Sequence, residues 1–312
     1  MAKKSRVVKI NILILVFLTG IAFNQNNPIE QLPMTSIPAN PNTVFYTGVL
    51  GTIYKSTTVN TSRAHSLLNF TFSNADYSRA AFDGVPEELK NFAYSTNLAL
   101  VFQLLRTGSL FRQIGLTIGT QQGLTNSNPN ADQLQWWYEG NFYSGVVFAF
   151  PHNLAGAISY LLATTPNTGD AAHELELAFS YTSNNILGQW GPSLEAAVPL
   201  GNSDGFLLQA GIDPSFTLFQ KSRLPLSLSF PLRVGAGLLG YHVPDNDFTG
   251  YLSVGISSEL KPGFIPDTYG QWQLFFEVDL LARDDGLANR NLPEDTGGNV
   301  VVTGRLGFRF LY

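Results

Sequence analysis

The last twelve residues of the chain decide the fold, and they read Val301-Val-Thr-Gly-Arg-Leu-Gly-Phe-Arg-Phe-Leu-Tyr312. Counting back from Tyr312, every second residue is large and apolar, and two arginines and a glycine alternate with them. Because successive side chains of a β-strand point to opposite faces, this spacing predicts a strand with one apolar and one polar face. Such a strand suits the wall of a transmembrane barrel, with its apolar face toward lipid. It also suits a half-buried strand of a soluble β-protein.

The C-terminal strand resembles the assembly signal of Gram-negative outer-membrane β-barrel proteins, which ends in Phe, Tyr or Trp with apolar residues at alternate positions before it. The resemblance covers about twelve residues. It implies an all-β fold with a single antiparallel transmembrane barrel, held in outer-membrane lipid and inserted by the barrel-assembly machinery through this strand. Beyond that class the chain looks broadly like poorly characterised porin-like proteins, and no particular family is matched by a motif.

The N-terminus predicts export to the cell envelope. Four basic residues precede a mostly apolar run at residues 10–23, and Gly20-Ile-Ala22 forms a cleavage site of the small-x-small type. The apolar run is shorter than the roughly 20 residues that a spanning helix needs. We therefore expect residues 1–22 to be a cleaved signal peptide. Residues 23–43, rich in Pro and Asn, are predicted to be flexible, and residues 44–312 to form the barrel in the outer membrane.

Composition supports an exported membrane protein of one domain. Charged residues make up 13% of the chain, about half of the usual ~25%. Hydrophobic residues make up 44%, yet after residue 23 no apolar stretch reaches the roughly 18 residues of a spanning helix. The chain has no cysteine, which excludes disulfides and thiolate metal centres. The net charge of −5 argues against nucleic acid as a partner.

Thirteen segments of the sequence have the character of strands: 44–54, 64–73, 94–105, 110–120, 141–150, 155–163, 172–182, 190–198, 205–219, 225–240, 250–260, 270–282 and 300–312. A bacterial barrel made from one chain normally has an even number of strands. The first segment alternates poorly and contains Gly48 and Gly51. We therefore predict twelve strands from about residue 64, with fourteen as the alternative, and a short helix near Pro86.

The lengths of the connections predict the orientation of the barrel. Those at residues 106–109, 151–154 and 220–224 are short, and those at 74–93, 121–140 and 283–299 are long. Outer-membrane barrels have short periplasmic turns and long extracellular loops. With Tyr312 in the periplasm, the three long connections are all expected outside the cell. Aromatic girdles are predicted from Trp136, Trp137 and Tyr138 near one interface, and from Trp272 and Tyr312 near the other.

The polar faces of these strands carry ten ionisable residues that we expect to line the lumen. The acids are Glu174, Glu176, Glu195, Asp213, Glu259, Glu277 and Asp279, and the bases are Arg233, Arg305 and Arg309. An acidic lumen concentrates cations and repels anions. Folding the last hairpin about the middle of its loop sets Glu277 opposite Arg305, with Asp279 diagonal to it. These groups can instead pair across the interior and hold it shut.

Catalytic and cofactor-binding residues are expected to be absent. The four histidines, at positions 65, 152, 173 and 242, are dispersed, and the piece Tyr181-Thr-Ser-Asn-Asn185 has no histidine nearby. A nucleophilic serine needs such a base. The loop holding His242, Asp245 and Asp247 reads as an ordinary turn rather than a metal site.

The sequence therefore predicts a passive diffusion channel for small solutes or ions with a weak preference for cations, and no enzyme. A closed structural or adhesion barrel working through its extracellular loops is the alternative. An outer-membrane acyl hydrolase is a weaker third hypothesis.

Overall fold

The computed structural model describes residues 64–312 except for gaps at residues 75, 79–80, 85–92, 107–109, 112, 126–136, 152–153, 167–169, 182, 186–187, 202–204, 220–221, 243–245, 267–268 and 289–297. The signal peptide, the flexible segment, the candidate strand at 44–54 and the helix near Pro86 lie outside the described residues and stay predictions.

The described residues form strands and one short helix, α1 (Asp285–Ala288). The strands are β1 (Ala64–Ser73), β2 (Asp76–Ser78), β3 (Ala81–Gly84), β4 (Ala93–Arg106), β5 (Gln113–Thr125), β6 (Trp137–Ala149), β7 (Leu154–Thr165), β8 (Asp170–Tyr181), β9 (Ser183–Asn185), β10 (Gly188–Trp190), β11 (Ser193–Pro199), β12 (Phe206–Ile212), β13 (Ser215–Leu218), β14 (Leu226–Ser229), β15 (Leu232–Leu238), β16 (Phe248–Leu260), β17 (Gln271–Arg283) and β18 (Val300–Leu311).

Antiparallel pairing closes the sheet into a barrel of twelve spanning strands. β12 with β13, and β14 with β15, each make one spanning strand, and β9 and β10 extend the hairpin of β8 and β11. β2 and β3 form a separate hairpin in the connection between β1 and β4. The barrel closes where β18 pairs with β1, with Phe70 opposite Phe308. The predictions of an all-β fold, a single barrel and twelve strands are confirmed.

Two prolines divide two of the spanning strands. A proline has no backbone N–H to give to the ladder, so it interrupts regular pairing inside a sheet. Pro214 separates β12 from β13, and Pro231 separates β14 from β15. The register continues across the interruption, since the Phe230 N–H still donates to the Pro214 carbonyl at 2.9 Å. The predicted segments 205–219 and 225–240 are therefore correct as spanning segments but wrong as single strands.

Side chains alternate between the two faces of the wall as predicted. On β17, Leu274 and Phe276 are about half exposed, whereas Glu277 between Phe276 and Val278 is buried. Exposed aliphatic and aromatic side chains occupy the outward positions of the other spanning strands too. An outward apolar face suits lipid, and the polar face is left for the interior. Within the described residues, no helix combines the length and the apolar character that crossing a membrane requires.

The two ends of the barrel differ. Both ends of the described chain meet at one of them, where the backbones of Ser66 and Tyr312 exchange two hydrogen bonds of 2.6 and 2.9 Å. We call this the turn end, because the three connections predicted to be short lie there. The loop end carries the three connections predicted to be long. These connections contain structure that the sequence did not predict, namely the β2–β3 hairpin and α1.

The assignment of Tyr138 to an aromatic girdle is wrong. The pairing of β5 with β6 shifts register between Gly123 and Leu124, which leaves one extra residue on β6. A bulge of this kind turns a side chain to the other face. Tyr138 is consequently buried, with its ring against Gly123. Trp272 and Tyr312 are exposed near the turn end, as predicted, and Trp136 lies outside the described residues.

A charge placed on the outward face should destabilise the barrel according to its depth. Ile256 lies mid-strand on β16 and is 56% exposed, and Val300 lies at the loop end of β18 and is 58% exposed. We expect Ile256→Arg to lower the free energy of unfolding by about 2–4 kcal/mol and Val300→Arg by about 0–1 kcal/mol. Urea titration of the barrel refolded into phospholipid vesicles measures both values. Equal losses at the two positions would contradict a lipid-facing surface.

Candidate functional site

The interior of the barrel is the candidate site, and strand alternation puts the ten predicted ionisable residues on its inward face. Glu174, Glu259 and Arg305 are partly exposed. The other seven are almost completely buried, with exposed fractions of 0–3%: Glu176, Glu195, Asp213, Arg233, Glu277, Asp279 and Arg309. Burial of charged groups is costly unless other charges or hydrogen bonds compensate for it. The arrangement of these residues therefore decides what the interior can do.

Four of them form a group that we call the mid-barrel cluster: Arg233, Glu277, Asp279 and Arg305. Glu277 lies directly opposite Arg305 in the pairing of β17 with β18, and Asp279 lies opposite Thr303. The predicted register of this hairpin is thus confirmed. Arg233, Asp279 and Arg305 all lie near enough to Glu277 to interact with it electrostatically. The cluster combines two acids with two bases, so its formal charge is balanced.

A glycine makes room for this cluster in the wall. Gly255 on β16 lies opposite Asp279 in the register. A Cβ atom at position 255 would overlap the Asp279 Oδ1 atom and would lie 3.1 Å from Pro231 Cγ. The Asp279 carboxylate therefore lies flat against the backbone of the neighbouring strand. Only glycine leaves room for this contact at position 255.

Glycines elsewhere on the inward face have the same role. The ring of Tyr251 lies against Gly235, and the ring of Phe275 lies against Gly307. At these places the large side chains therefore pack against the backbone of the adjacent strand.

A second charged network lies nearer the turn end. Arg309 Nη1 is 2.9 Å from Glu259 Oε2 and donates a hydrogen bond of 3.0 Å to Gln273 Oε1. The guanidinium also lies over the ring of Phe275, 5.0 Å from its centroid. This ion pair spans from β18 across β17 to β16, so it joins three strands. The sequence predicted the two charges as lumen residues but not their pairing.

The acids on β8 and β11 have polar partners on the inner wall. Ser159 Oγ donates to Glu176 Oε2 at 2.9 Å. Glu195 lies opposite Gln209 in the register, and the Tyr251 hydroxyl donates to Gln209 at 2.5 Å. The sequence did not predict Ser159 as a partner of Glu176, nor Gln209 and Tyr251 as polar residues near Glu195. The sequence did contain a signal for them, because each is a polar residue at an inward position of its strand.

The inward face also carries an apolar cluster that was not predicted. It is built from β1, β4, β6, β7, β8 and β18 and contains Leu67, Ala99, Val101, Tyr143, Val147, Ala155, Ala157, Leu161, Ala178 and Leu311. On β7 both faces are apolar, so alternation of polarity gives no sign of which residues point inward. The apolar cluster therefore lies on this side together with buried polar residues such as Gln103, Thr117 and Glu139, whereas the ten predicted charges lie on the side from β8 to β18.

The histidines in the described part of the chain are separated from one another. His65 is buried on β1, His173 contacts the Tyr160 hydroxyl on the outer face, and His242 Nδ1 lies 2.7 Å from Thr249 Oγ1. His152 and Asp245 lie outside the described residues. Within the described ranges, no group of three or more His, Asp or Glu side chains is arranged to hold a metal ion.

Comparison with known proteins found similarity in structure only. No family model matches the sequence, and no curated protein does. Among solved structures, an outer membrane channel from Pseudomonas putida F1 has a TM-score of 0.46 at 10% identity, with 80% of this chain and 95% of that chain covered. The beta domain of a Bordetella autotransporter has a TM-score of 0.43 at 10% identity, with 80% and 100% covered. LpxR from Salmonella typhimurium has a TM-score of 0.41 at 11% identity, with 78% and 99% covered. These similarities assign neither a family nor an activity to this chain.

Adding a methyl group beside Asp279 should strain the mid-barrel cluster. We expect Gly255→Ala to lower the free energy of unfolding by about 1–3 kcal/mol, because a well-packed interior resists added volume. Gly304→Ala is the matched control, since nothing lies within 4 Å of a Cβ atom at that position of β18. Urea titration in vesicles compares the two variants. A Gly255→Ala barrel as stable as Gly304→Ala would mean that Asp279 does not need its present position.

The Glu277–Arg305 pair should show a favourable coupling free energy. Opposite charges directly across an antiparallel pair stabilise it by about 0.2–1 kcal/mol. We expect a coupling of this size from a double-mutant cycle with Glu277→Gln, Arg305→Gln and the double variant. Unfolding titrations of the four proteins give the value. Additive effects of the two single substitutions would show that the confirmed register brings no energetic gain.

Proposed function

We propose that this chain is a Gram-negative outer-membrane β-barrel that acts as a passive diffusion channel for small solutes or ions, with a weak preference for cations. The observation that carries this proposal is the uneven charge of the inward face. Among the ten predicted lumen-lining residues, seven are acids and three are arginines, and the buried Glu139 on β6 and Arg283 on β17 add one charge of each sign. A lumen lined by one sign of charge concentrates counter-ions and repels ions of like charge.

The outward face supports the membrane location. Soluble monomers rarely expose contiguous apolar patches larger than a few hundred Å². Here Leu194, Val234 and Ile256 are each more than half exposed, and similar side chains cover the outward positions all around the barrel. The predicted signal peptide provides the route to the envelope. The exposed C-terminal Tyr312 and the strand before it suit recognition by the barrel-assembly machinery.

The distribution of charge supports a preference for cations. The mid-barrel cluster balances two acids with two arginines, and Arg309 balances Glu259. Glu174, Glu176 and Glu195 lie on β8 and β11, on a part of the inner wall where the predicted bases do not lie. Their field is concentrated by the surrounding low-dielectric wall. We infer that this acidic stretch sets the ion preference.

A closed structural barrel is a second candidate, and the burial of the inward side chains favours it. Glu277, Asp279 and Arg309 are no more than 1% exposed, although a wide water-filled channel would wet them. A barrel of this kind would work through its extracellular loops. This candidate predicts a folded protein that passes no current. The two candidates therefore differ in one measurable quantity, the ionic current through the folded barrel.

Single-channel recording of the refolded barrel in a planar bilayer tests the proposal. We expect discrete openings, with a reversal potential in a potassium chloride gradient that indicates more permeable cations. The variant with both Glu176→Gln and Glu195→Gln should lower the cation-to-anion permeability ratio by about twofold, because two charges leave the inner wall.

Arg305→Gln is the matched control of opposite sign and should raise the same ratio. A heat-modifiable, correctly folded barrel that stays silent in every recording would contradict the channel and favour the closed barrel. Openings with an anion preference would contradict the role given to the acidic residues.

A further inference from the structure

We propose that two loops at the loop end fold inward and form a lid over the acidic interior, so that passage of solutes requires this lid to lift. This inference rests on the proposed channel function. The lid consists of residues 239–242 and 246–247, between β15 and β16, and residues 284–288, which include α1.

The first loop turns back toward the barrel axis. Leu239 and Gly240 have positive φ angles of 54° and 82°, which reverse the chain directly after β15. His242 is then buried, with its ring against Gly237 and its Nδ1 atom 2.7 Å from Thr249 Oγ1. Gly237 and Thr249 are inward-facing partners on β15 and β16. The loop therefore enters the mouth of the barrel instead of extending away from it.

Tyr241 connects this loop to a strand three positions away along the rim. Its hydroxyl donates a hydrogen bond of 3.0 Å to Glu174 Oε1. Glu174 lies on β8, and β11 and β12 separate β8 from β15 in the wall. Tyr241 follows directly after β15. To reach Glu174 on β8, its side chain must pass over the loop-end termini of β12 and β11. The bond thus joins two distant parts of the rim.

The second loop adds an apolar side chain to the same place. The Asp284 carboxylate accepts hydrogen bonds from the backbone N–H groups of Leu287 and Gly250, which fixes the start of this loop to β16. Leu287 is 1% exposed. Gly286 lies against the Asn246 side chain, so the two loops touch each other.

Together these residues form what we call the loop-end seal. It contains Ala197, Leu207, Tyr251, Leu281, Leu287 and Val301, with Tyr241 packed against them. Along β17 the inward residues read Glu277, Asp279 and Leu281 toward the loop end, so the seal lies directly above the mid-barrel cluster. Its wall residues come from β11, β12, β16, β17 and β18, so the seal lies over the side of the interior that holds the predicted charges. An apolar layer over a polar path opposes the passage of ions, because an ion would lose its hydration there.

The lid is attached differently from the wall. Wall strands are joined by continuous ladders of backbone hydrogen bonds, whereas the first loop reaches the wall through side-chain bonds, from His242 to Thr249 and from Tyr241 to Glu174. The Leu239 N–H donates to Asp247 and the Gly240 N–H donates to Asn246, both through backbone carbonyls. Among its contacts with the neighbouring strands are the bond from the Tyr241 hydroxyl to Glu174 on β8 and the packing of the Tyr241 backbone against Gly205. The loop can therefore move as a unit while every wall strand stays paired.

Thiol labelling tests the lid independently of conductance. The chain has no cysteine, so a single engineered cysteine is the only thiol that the reagent can label. Ser253 faces inward on β16 below the seal, and Ser229 faces inward nearer the turn end; both are buried. The test uses Ser253→Cys and Ser229→Cys as two separate variants. Each is prepared alone and in combination with the lid substitutions Tyr241→Phe and Leu287→Ala. All proteins are placed in lipid nanodiscs and reacted with a charged maleimide.

We expect the lid substitutions to increase the labelling rate at position 253 by about fivefold or more and to leave position 229 unchanged, because only the loop end opens. Leu280→Ala, on the lipid-facing side next to Leu281, is the matched control and should change neither rate. An unchanged rate at position 253, or an equal increase at both positions, overturns the lid. Tyr241→Phe alone gives the same test if the double lid variant does not fold.

Single-channel recordings of the same variants separate this inference from the proposed function. Faster labelling at position 253 together with a higher open probability supports both. Faster labelling in a barrel that stays silent supports the lid and contradicts the channel. Frequent openings in the unmodified protein, with no change in the lid variants, contradict the lid and leave the channel intact.

Discussion

The requirement that every backbone N–H and C=O group inside a bilayer has a partner governs this structure. Lipid offers no hydrogen bonds, so a sheet in a membrane must close on itself. The last strand, β18, meets this requirement by pairing with β1, and the reciprocal bonds of Ser66 and Tyr312 join the two ends of the described chain. Closure then fixes one face of every strand outside and the other inside. The alternation of apolar and polar residues follows from closure, and so does the charged interior.

Closure also creates a packing problem inside, and glycine solves it. Twelve strands enclose a narrow lumen in which inward side chains meet their neighbours across the ladder. Where one strand presents a large side chain, such as Tyr251, Phe275 or Asp279, the adjacent strand presents a glycine. The large group then lies along the wall. This arrangement lets a small barrel hold charged side chains at nearly zero exposure while their carboxylates and guanidinium groups stay within reach of one another.

The parts of the structure that the sequence predicted are those that depend on local pattern. Alternation located the spanning segments, and the symmetry of one hairpin placed Glu277 opposite Arg305. The pairing of Arg309 with Glu259 depends on three strands, and the bond from Tyr241 to Glu174 depends on the order of strands around the barrel. Neither has a local signal. The interruptions at Pro214 and Pro231 do have a local signal, the proline itself. That signal predicts a break in the strand, but it does not show that the register continues beyond the break. Tyr138 was misplaced because a bulge changes the face without changing the spacing of residues along the chain.

The same distinction between local and distant contacts bears on function. Charges on the wall are held by a ladder that cannot be opened without exposing backbone to lipid, so the acidic lining is a fixed property of the barrel. The loops at the mouth lie outside that constraint, because water can satisfy their backbone groups when they move. A barrel that must be both stable and selective therefore keeps its charges on the strands, while any variable element belongs in the loops. The position of Tyr241 and Leu287 over the mid-barrel cluster follows this division, with the proposed selectivity on the wall and the proposed lid at the mouth.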